Sequence, residues 1–275
     1  STGFLGSAIK NEIHKDNYIY LVLRKKTKKI KLKKNIKEVY FKNFKQLNSK
    51  LKKIKADTII HCATHYVKSH GESDISKLSN ANIVLGNILL DNIENLSVKN
   101  FINFSTVWEN YDGKKDNFFN LYSVYKRNFS NLIFYYKKRN PKIKFFNLFL
   151  SDTFGKFDKR KKIINNFKKN YKSNKITNIL SSNLFLNLVN VEDIIEALML
   201  ILKNKIKPGD YNLVNSKYLR MIDLKNKFNL QAKKKLKIKW LSKRLIKEMI
   251  YKKSRLKNWS IKNSNIKDII DIISQ

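Results

Sequence analysis

Phe101-Ile102-Asn103-Phe104-Ser105-Thr106 is an apolar run that closes on two hydroxyls, and Asn120-Leu121-Tyr122-Ser123-Val124-Tyr125-Lys126 follows it after a short loop. The first stretch reads as a buried strand. The second opens an amphipathic helix whose apolar stripe is Tyr125, Phe129, Leu132 and Tyr136. Tyr122 and Lys126 stand four apart, so they share one helical face, and the ammonium can lower the phenol's pKa until it exchanges protons near neutral pH. Seven of the 59 basic residues are arginine and 52 are lysine, so with 13 tyrosines chance alone supplies about two to three Tyr/Lys pairs at this spacing. The chain holds three. Tyr111 and Lys115 straddle Gly113, and no strand ending in a hydroxyl precedes Tyr171 and Lys175, so Tyr122 with Lys126 is the pair whose context fits chemistry.

Outward from this stretch, short β-branched or aromatic runs alternate with longer amphipathic ones. Strands are expected at 18–23, 38–41, 57–62, 100–105 and 142–150, and helices at 6–15, 44–53, 74–93 and 121–139. That alternation is the pattern of a doubly wound α/β fold with a parallel sheet over residues 1–150. Residues 151–275 lose the regular alternation, with helices expected near 160–171, 191–203, 218–228 and 239–251. They read as a smaller lobe, part of which, near 185–203, packs back on the first domain. The Lys-rich run 25–37 reads as a solvated connection, and no internal repeat is visible.

The chain opens Ser1-Thr2-Gly3-Phe4-Leu5-Gly6-Ser7-Ala8-Ile9, with two glycines spaced so that backbone can approach a pyrophosphate at a helix N-terminus. A complete dinucleotide fingerprint has a strand and a further glycine directly before this point, and both would lie upstream of Ser1. The expectation is a fold whose first strand is missing. That strand is central in the order 3-2-1-4-5-6, so a protein truly starting at Ser1 is expected to be unstable and to bind cofactor poorly. Arg24, Lys25 and Lys26 end the next strand where NAD sites place an acidic residue, and basic residues there suit a 2′-phosphate. The expected cofactor is therefore NADP(H) in preference to NAD(H).

The formal charge of +38 raises the possibility of nucleic-acid binding. Its composition argues against a specific reader: the lysines are scattered along the chain, whereas bidentate recognition of phosphates and bases uses arginine. Scarce Gly, Pro, Ala and Arg beside abundant Lys, Asn and Ile match what an AT-rich genome imposes on surfaces. No apolar run approaches the roughly 20 residues of a membrane span, and the order of a secretory signal is absent, so the expected location is cytoplasmic. Cys62 is the single cysteine, which leaves no intramolecular disulfide and no cysteine-based zinc site. His61, His65 and His70 fall within ten residues, but no carboxylate motif accompanies them and no metal is expected.

Several segments, in this order, resemble the extended short-chain dehydrogenase/reductases, the NAD-dependent epimerase/dehydratase family. They are Gly3-Phe4-Leu5-Gly6, Ile60-His61-Cys62-Ala63-Thr64, the Asn82 helix with Gly86-Asn87-Ile88-Leu89-Leu90-Asp91, the strand ending Ser105-Thr106, and Asn120 through Lys126. Thr106-Val107-Trp108-Glu109-Asn110-Tyr111 and Asp152-Thr153-Phe154-Gly155 through Asp158-Lys159-Arg160 are similar to the branch that includes CDP-abequose and CDP-paratose synthases. Leu188-Val189-Asn190-Val191-Glu192-Asp193 resembles the family's second-lobe strand-to-helix motif.

The resemblance implies a Rossmann-like fold and hydride exchange between a nicotinamide and a carbon of a nucleotide-linked sugar, usually C4 of a 6-deoxyhexose. It implies that Tyr122 protonates the carbonyl oxygen, Lys126 holds the nicotinamide ribose and tunes Tyr122, Thr106 bonds the substrate oxygen, and Asn82 supports the site. Gly3, Phe4, Leu5, Gly6, Arg24, Ala63, Thr64 and Ser151 would lie along the cofactor, and Asp152, Arg160 and Arg255 toward the substrate. Val107 and Trp108 stand where sugar 4,6-dehydratases carry an Asp-Glu pair, which disfavours dehydration. The leading expectation is a 4-keto-6-deoxyhexose reductase of surface polysaccharide synthesis, a homodimer by family analogy. Beside it stand a 4-epimerase with tightly held NAD, a truncated relative kept as a binding or scaffold protein, and a basic nucleic-acid binder.

Overall fold

The computed structural model describes residues 2–24, 33–232, 234–247 and 256–275. Lys25, Lys26 and Arg255 lie outside the described residues, as does most of the Lys-rich run. The chain divides into two compact units, Ser1–Phe149 with Lys207–Tyr211, and Leu150–Ile206 with Asn212–Gln275.

The first unit runs α1 (Phe4–Ile13), β1 (Ile19–Leu23), β2 (Ile36–Tyr40), α2 (Phe44–Leu51), β3 (Thr58–His61) and α3 (Glu72–Ser79). A π-helical turn (Asn80–Val84), α4 (Leu85–Asp91), α5 (Ile93–Leu96), β4 (Asn100–Thr106), a 3-10 helix (Val107–Gly113), α6 (Leu121–Arg139) and β5 (Lys144–Leu150) follow.

The second unit contains β6 (Asp152–Phe154), α7 (Ile163–Lys172), β7 (Thr177–Ile179), β8 (Leu184–Leu186), β9 (Leu188–Asn190) and α8 (Val191–Leu202). β10 (Gly209–Leu213) begins in the first unit and ends in the second, and β11 (Leu219–Arg220), α9 (Met221–Gln231), β12 (Ile238–Trp240), β13 (Ile246–Lys247) and α10 (Ile266–Ser274) follow in the second.

In the first unit β1 and β2 pair in parallel, Ile19 against Ile36. β3 and β4 also pair in parallel, Thr58 against Asn100, within a sheet of order β10-β5-β4-β3. Among the described residues the two sheets are not joined: β1 and β3, which the order 3-2-1-4-5-6 separates by one strand, belong to different sheets.

β4 and β5 are buried along nearly their whole length, as the continuous apolar runs require of strands covered on both faces. Phe101, Phe145, Leu89, Leu90, Phe129 and Ile133 form the core between sheet and helices. The expected helix 74–93 is interrupted by the π-helical turn, a feature frequent at functional sites, and the buried Asn82 stands in it. Gly86, in the first turn of α4, admits the Phe129 ring: a Cβ there would stand 2.3 Å from Phe129 Cζ.

The core of the second unit joins Ile164 and Phe167 of α7, Met221 and Phe228 of α9, and Ile269 and Ile273 of α10. The helix expected at 239–251 is not formed over its described part. Ile238 and Trp240 alternate as in a strand, Leu241 and Leu245 recur at a helical spacing, and pairing with β7 and β8 decides for strand. Asn190 caps α8 by accepting from Glu192 N, and the buried Asp193 carboxylate accepts the backbone N–H groups of Lys262 and Asn263, each at 3.0 Å. No helix of the described residues is long and apolar enough to cross a membrane.

Candidate active site

α6 starts at Asn120 because that side chain accepts the Ser123 N–H at 3.1 Å while Ser123 Oγ accepts the Asn120 N–H at 3.2 Å. This reciprocal cap satisfies two of the donors a helix leaves open at its start. Asn120 Nδ2 also donates to Val67 O, which ties the helix start to the loop after β3. The cap is legible as Asn followed three residues later by Ser before an apolar stripe. Its tie to residue 67 is not.

One helical turn in, Tyr122 and Lys126 are buried. Lys126 Nζ donates to Phe104 O at 2.6 Å, which fastens α6 to the end of β4, two residues before Thr106. Thr106, also buried, accepts the Trp108 N–H on Oγ1 at 3.3 Å; that bond uses an oxygen lone pair and not the hydroxyl proton. Tyr122 meets the ring of Tyr66 edge-on, with centroids 5.2 Å apart, and Tyr66 continues into an aromatic chain through Trp108 and Phe119 to Tyr111. Burial pushes Lys126 down to about 8, and the charge of Glu109 acts in the opposite direction.

Asn82 is fully buried in the π-helical turn. Its Oδ1 accepts from Thr64 Oγ1 at 2.7 Å and His65 N at 3.2 Å, and its Nδ2 donates to His65 O at 2.9 Å. These bonds fix the loop after β3, where Ala63 is half-buried and Thr64 exposed. His61 is buried against Phe129, with Nδ1 3.0 Å from Asn103 Oδ1, and burial followed by the Lys126 charge pushes it down to about 4. It is neutral at ordinary pH. Burial likewise pushes the Cys62 thiol up, which keeps it protonated. Among the described residues no three His, Cys, Asp or Glu side chains converge on a point.

At the other end of the first unit, α1 begins on Gly3, with no side-chain cap and no acidic residue in its first turn. A Cβ at Gly3 would meet nothing within 4 Å, Phe4 and Leu5 are half-buried or more exposed, and Gly6 is buried. A helix start with no carboxylate in its first turn leaves backbone N–H groups that could meet an anion such as a pyrophosphate. In the second unit, the Ser151 hydroxyl is buried without a hydrogen-bond partner among the described residues, as fits a group reserved for a ligand. Asp152 is paired with Lys162 at 2.6 Å. Arg160 grips Asp158 through two bonds of 2.8 Å and donates to Thr153 O at 2.7 Å. Its guanidinium is thus engaged in its own loop, which a phosphate would have to compete with.

Five residues outside the expected set form a buried hydrogen-bonded cluster between β4, β5 and α6. Glu109, fully buried, accepts from Ser105 Oγ and Ser130 Oγ, and Ser130 in turn accepts from Asn147, which pairs with Asn103. Asn103, Ser105 and Glu109 fall inside segments that carry the family resemblance, but nothing local marks their bonds to Asn147 and Ser130. They meet only because β4, β5, the 3-10 helix and α6 pack together.

The model of the NAD dependent epimerase/dehydratase family matches residues 1–213. The chain belongs to the NAD-dependent epimerase/dehydratase family. Among curated relatives, the CDP-abequose synthase of Salmonella muenchen is 26% identical over 234 residues, 85% of this chain and 78% of that protein. That likeness agrees with the branch resemblance. The fold is similar to UDP-glucuronic acid 4-epimerase from Bacillus cereus in complex with UDP-glucuronic acid and NAD, with a TM-score of 0.81 at 16% identity over 98% of this chain and 96% of that one. UDP-glucose 4-epimerase from Thermus thermophilus in complex with NAD gives the same TM-score, identity and coverage. The doubly wound, Rossmann-like α/β fold is therefore that of these NAD-dependent epimerases, and the chain is an enzyme of this family.

The expectation of NADP(H) is corrected. Both of these structural neighbours are complexes with NAD. The basis for NADP is Arg24, which is exposed at the end of β1, with Lys25 and Lys26 outside the described residues. One exposed arginine among 59 basic residues does not make a 2′-phosphate site.

Proposed function

We propose that this enzyme exchanges a hydride between NAD and a carbon, C4 in the simplest case, of a nucleotide-diphosphate sugar. The observation that carries the reading is the bond from Lys126 Nζ to Phe104 O, which fastens the Tyr122 and Lys126 face of α6 to the strand end bearing Thr106. In this reading Tyr122 moves a proton at its phenol oxygen, to or from the sugar oxygen. Lys126 keeps a positive charge one turn away, which stabilises the phenolate, and the Thr106 hydroxyl proton is donated to the same sugar oxygen. Asn82 holds the loop of Ala63 and Thr64 against which the cofactor lies, and the start of α1 receives the pyrophosphate. When bound, NAD supplies the hydride acceptor, and in reduced form the donor, at its nicotinamide ring.

Two directions of use follow. Reduction of a 4-keto-6-deoxyhexose, for surface polysaccharide synthesis, is supported by the likeness to a CDP-abequose synthase. The apolar wall of Tyr66 and Trp108 beside Tyr122 also suits a sugar that carries a methyl group at C6. Epimerisation is supported by the two structural neighbours. Dehydration is disfavoured, because Glu109, the first carboxylate after Thr106, is buried and bonded to Ser105 and Ser130. A homodimer belongs to the same reading and is checked by light scattering.

The test uses the full chain with NADH and a nucleotide-linked 4-keto-6-deoxyhexose, and separately with NAD and UDP-glucose. Net NADH oxidation marks the reductase, and an inverted product without net NADH change marks the epimerase. Tyr122→Phe is expected to lower kcat by about 10²- to 10⁴-fold in either case. Full activity in that variant would remove Tyr122 from the mechanism.

A further inference from the structure

Lys126 is buried to 1% exposure, and its ammonium donates to a neutral acceptor, Phe104 O. A carbonyl oxygen does not cancel a buried ammonium, and taking that charge out of water is costly unless an opposite charge stands near. Glu109 is a carboxylate held at the same strand end, outside direct ion-pair distance of Lys126 but bonded to Ser105, next to Phe104, and to Ser130, one helical turn after Lys126. It has no exposed surface and is fixed from two elements: Ser105 Oγ of β4 donates to Oε1, and Ser130 Oγ of α6 lies 3.1 Å from Oε2. Residues 104–106 thus carry three loads in succession, with Lys126 on the Phe104 carbonyl, Glu109 on the Ser105 hydroxyl and Trp108 N on Thr106.

We propose that Glu109 is the counter-charge that keeps Lys126 protonated, and thereby a positioning residue for proton transfer at Tyr122. This rests on the reading of Tyr122 and Lys126 as the working pair.

The other groups around this pair leave the role to Glu109. On α6, Arg127 also reaches Glu109, with Nη1 4.0 Å from Oε2, but its Nη2 is paired with Asp116 at 3.0 Å. On β3, His61 is pushed down to about 4 and is neutral; after it, Cys62 is pushed up and protonated. Neither supplies negative charge at neutral pH. Burial pushes Glu109 up, while the Ser105 hydroxyl and then the charges of Lys126 and Arg127 hold it down. Glu109 and Lys126 therefore support each other's ionised forms.

Glu109→Gln keeps the shape and one acceptor oxygen, turns the other acceptor into a donor, and removes the charge. The Lys126 ammonium is followed by NMR of the full chain carrying 15N-lysine, with its signal identified by loss in Lys126→Met. The wild-type midpoint is expected near 8, well below those of exposed lysines. In Glu109→Gln it falls by about one unit, a tenfold loss of proton affinity, and the alkaline limb of the kcat/KM profile moves with it. KM for the nucleotide sugar stays within about twofold in this prediction. Ser130→Ala, which removes a hydrogen bond and no charge, leaves the midpoint in place.

An unmoved Lys126 midpoint in Glu109→Gln, whatever its effect on stability, overturns the proposal. If that variant does not fold, Glu109→Met, which also removes the charge, is used: its midpoint falls likewise, and a midpoint at the wild-type position counts against the proposal equally. The NMR readout needs no turnover. A shifted midpoint together with an active Tyr122→Phe variant would uphold the charge coupling and reject the catalytic pair.

Discussion

Helices α6 and α1 both begin where functional contacts are expected, and they are built in opposite ways. α6 opens on a reciprocal Asn120 and Ser123 cap, buries Tyr122 and Lys126 in its first two turns, and is fastened to β4 through Phe104 O. α1 opens on a glycine without a side-chain cap and with no acidic residue in its first turn. The difference matches what each would present under the proposed function. A proton-transfer group has to be a side chain held at one place, which takes packing and hydrogen bonds from several elements. A pyrophosphate is met by backbone N–H groups, which a side-chain cap would occupy.

That contrast can be broken by perturbing either helix. Acidification should weaken the α6 packing most. Between its ordinary 6.5 and about 4, His61 takes a proton in the unfolded chain and refuses it in the folded one, so stability falls as pH drops through that window. The loss amounts to about 3 kcal/mol when complete. Urea midpoints at pH 7 and pH 4.5 measure it, and His61→Asn should flatten this part of the slope. A pH-independent midpoint would mean that His61 is not buried neutral against Phe129.

Gly86→Ala comes next. The added methyl meets the fully buried Phe129 ring, and overpacking of this kind costs about 1–3 kcal/mol, read as a lowered melting temperature. Asn120→Ala removes the α6 cap and should cost about 1 kcal/mol. Its kcat should fall more than its KM rises if the helix start also positions Tyr122. Smallest in stability is Gly3→Ala, expected within about 0.5 kcal/mol of wild type because the methyl enters open space. Its effect should instead appear as weaker NAD binding by calorimetry. A large stability loss at Gly3 with no change in affinity would invert the comparison.

Much of the first unit is legible in the chain. The stripe Tyr125, Phe129, Leu132 and Tyr136 predicts α6 with the bounds observed, and the apolar runs at 100–105 and 142–150 predict β4 and β5 within two residues. Less regular patterns mislead. The segment 239–251 fits both periods, and only the pairing of β12 with β7 and of β13 with β8 resolves it. The helix 74–93 gives no sign of its π-helical turn, because the cause, Asn82 reaching Thr64 and His65, joins residues 17 and 18 positions apart. Arg24 suggests NADP from its place alone, and the grip of Arg160 on Asp158 is visible only in the folded chain.

By itself the sequence determined the main elements of the first unit and which side chains ride together on them. Strand and helix periods are local, and Tyr122 and Lys126 share a face by helical geometry whatever surrounds them. Only the tertiary structure decided the electrostatic setting of those side chains. The charge a buried lysine carries depends on desolvation and on what stands a few ångströms away. Glu109 comes to act on Lys126 from an earlier element, through packing that no local pattern encodes.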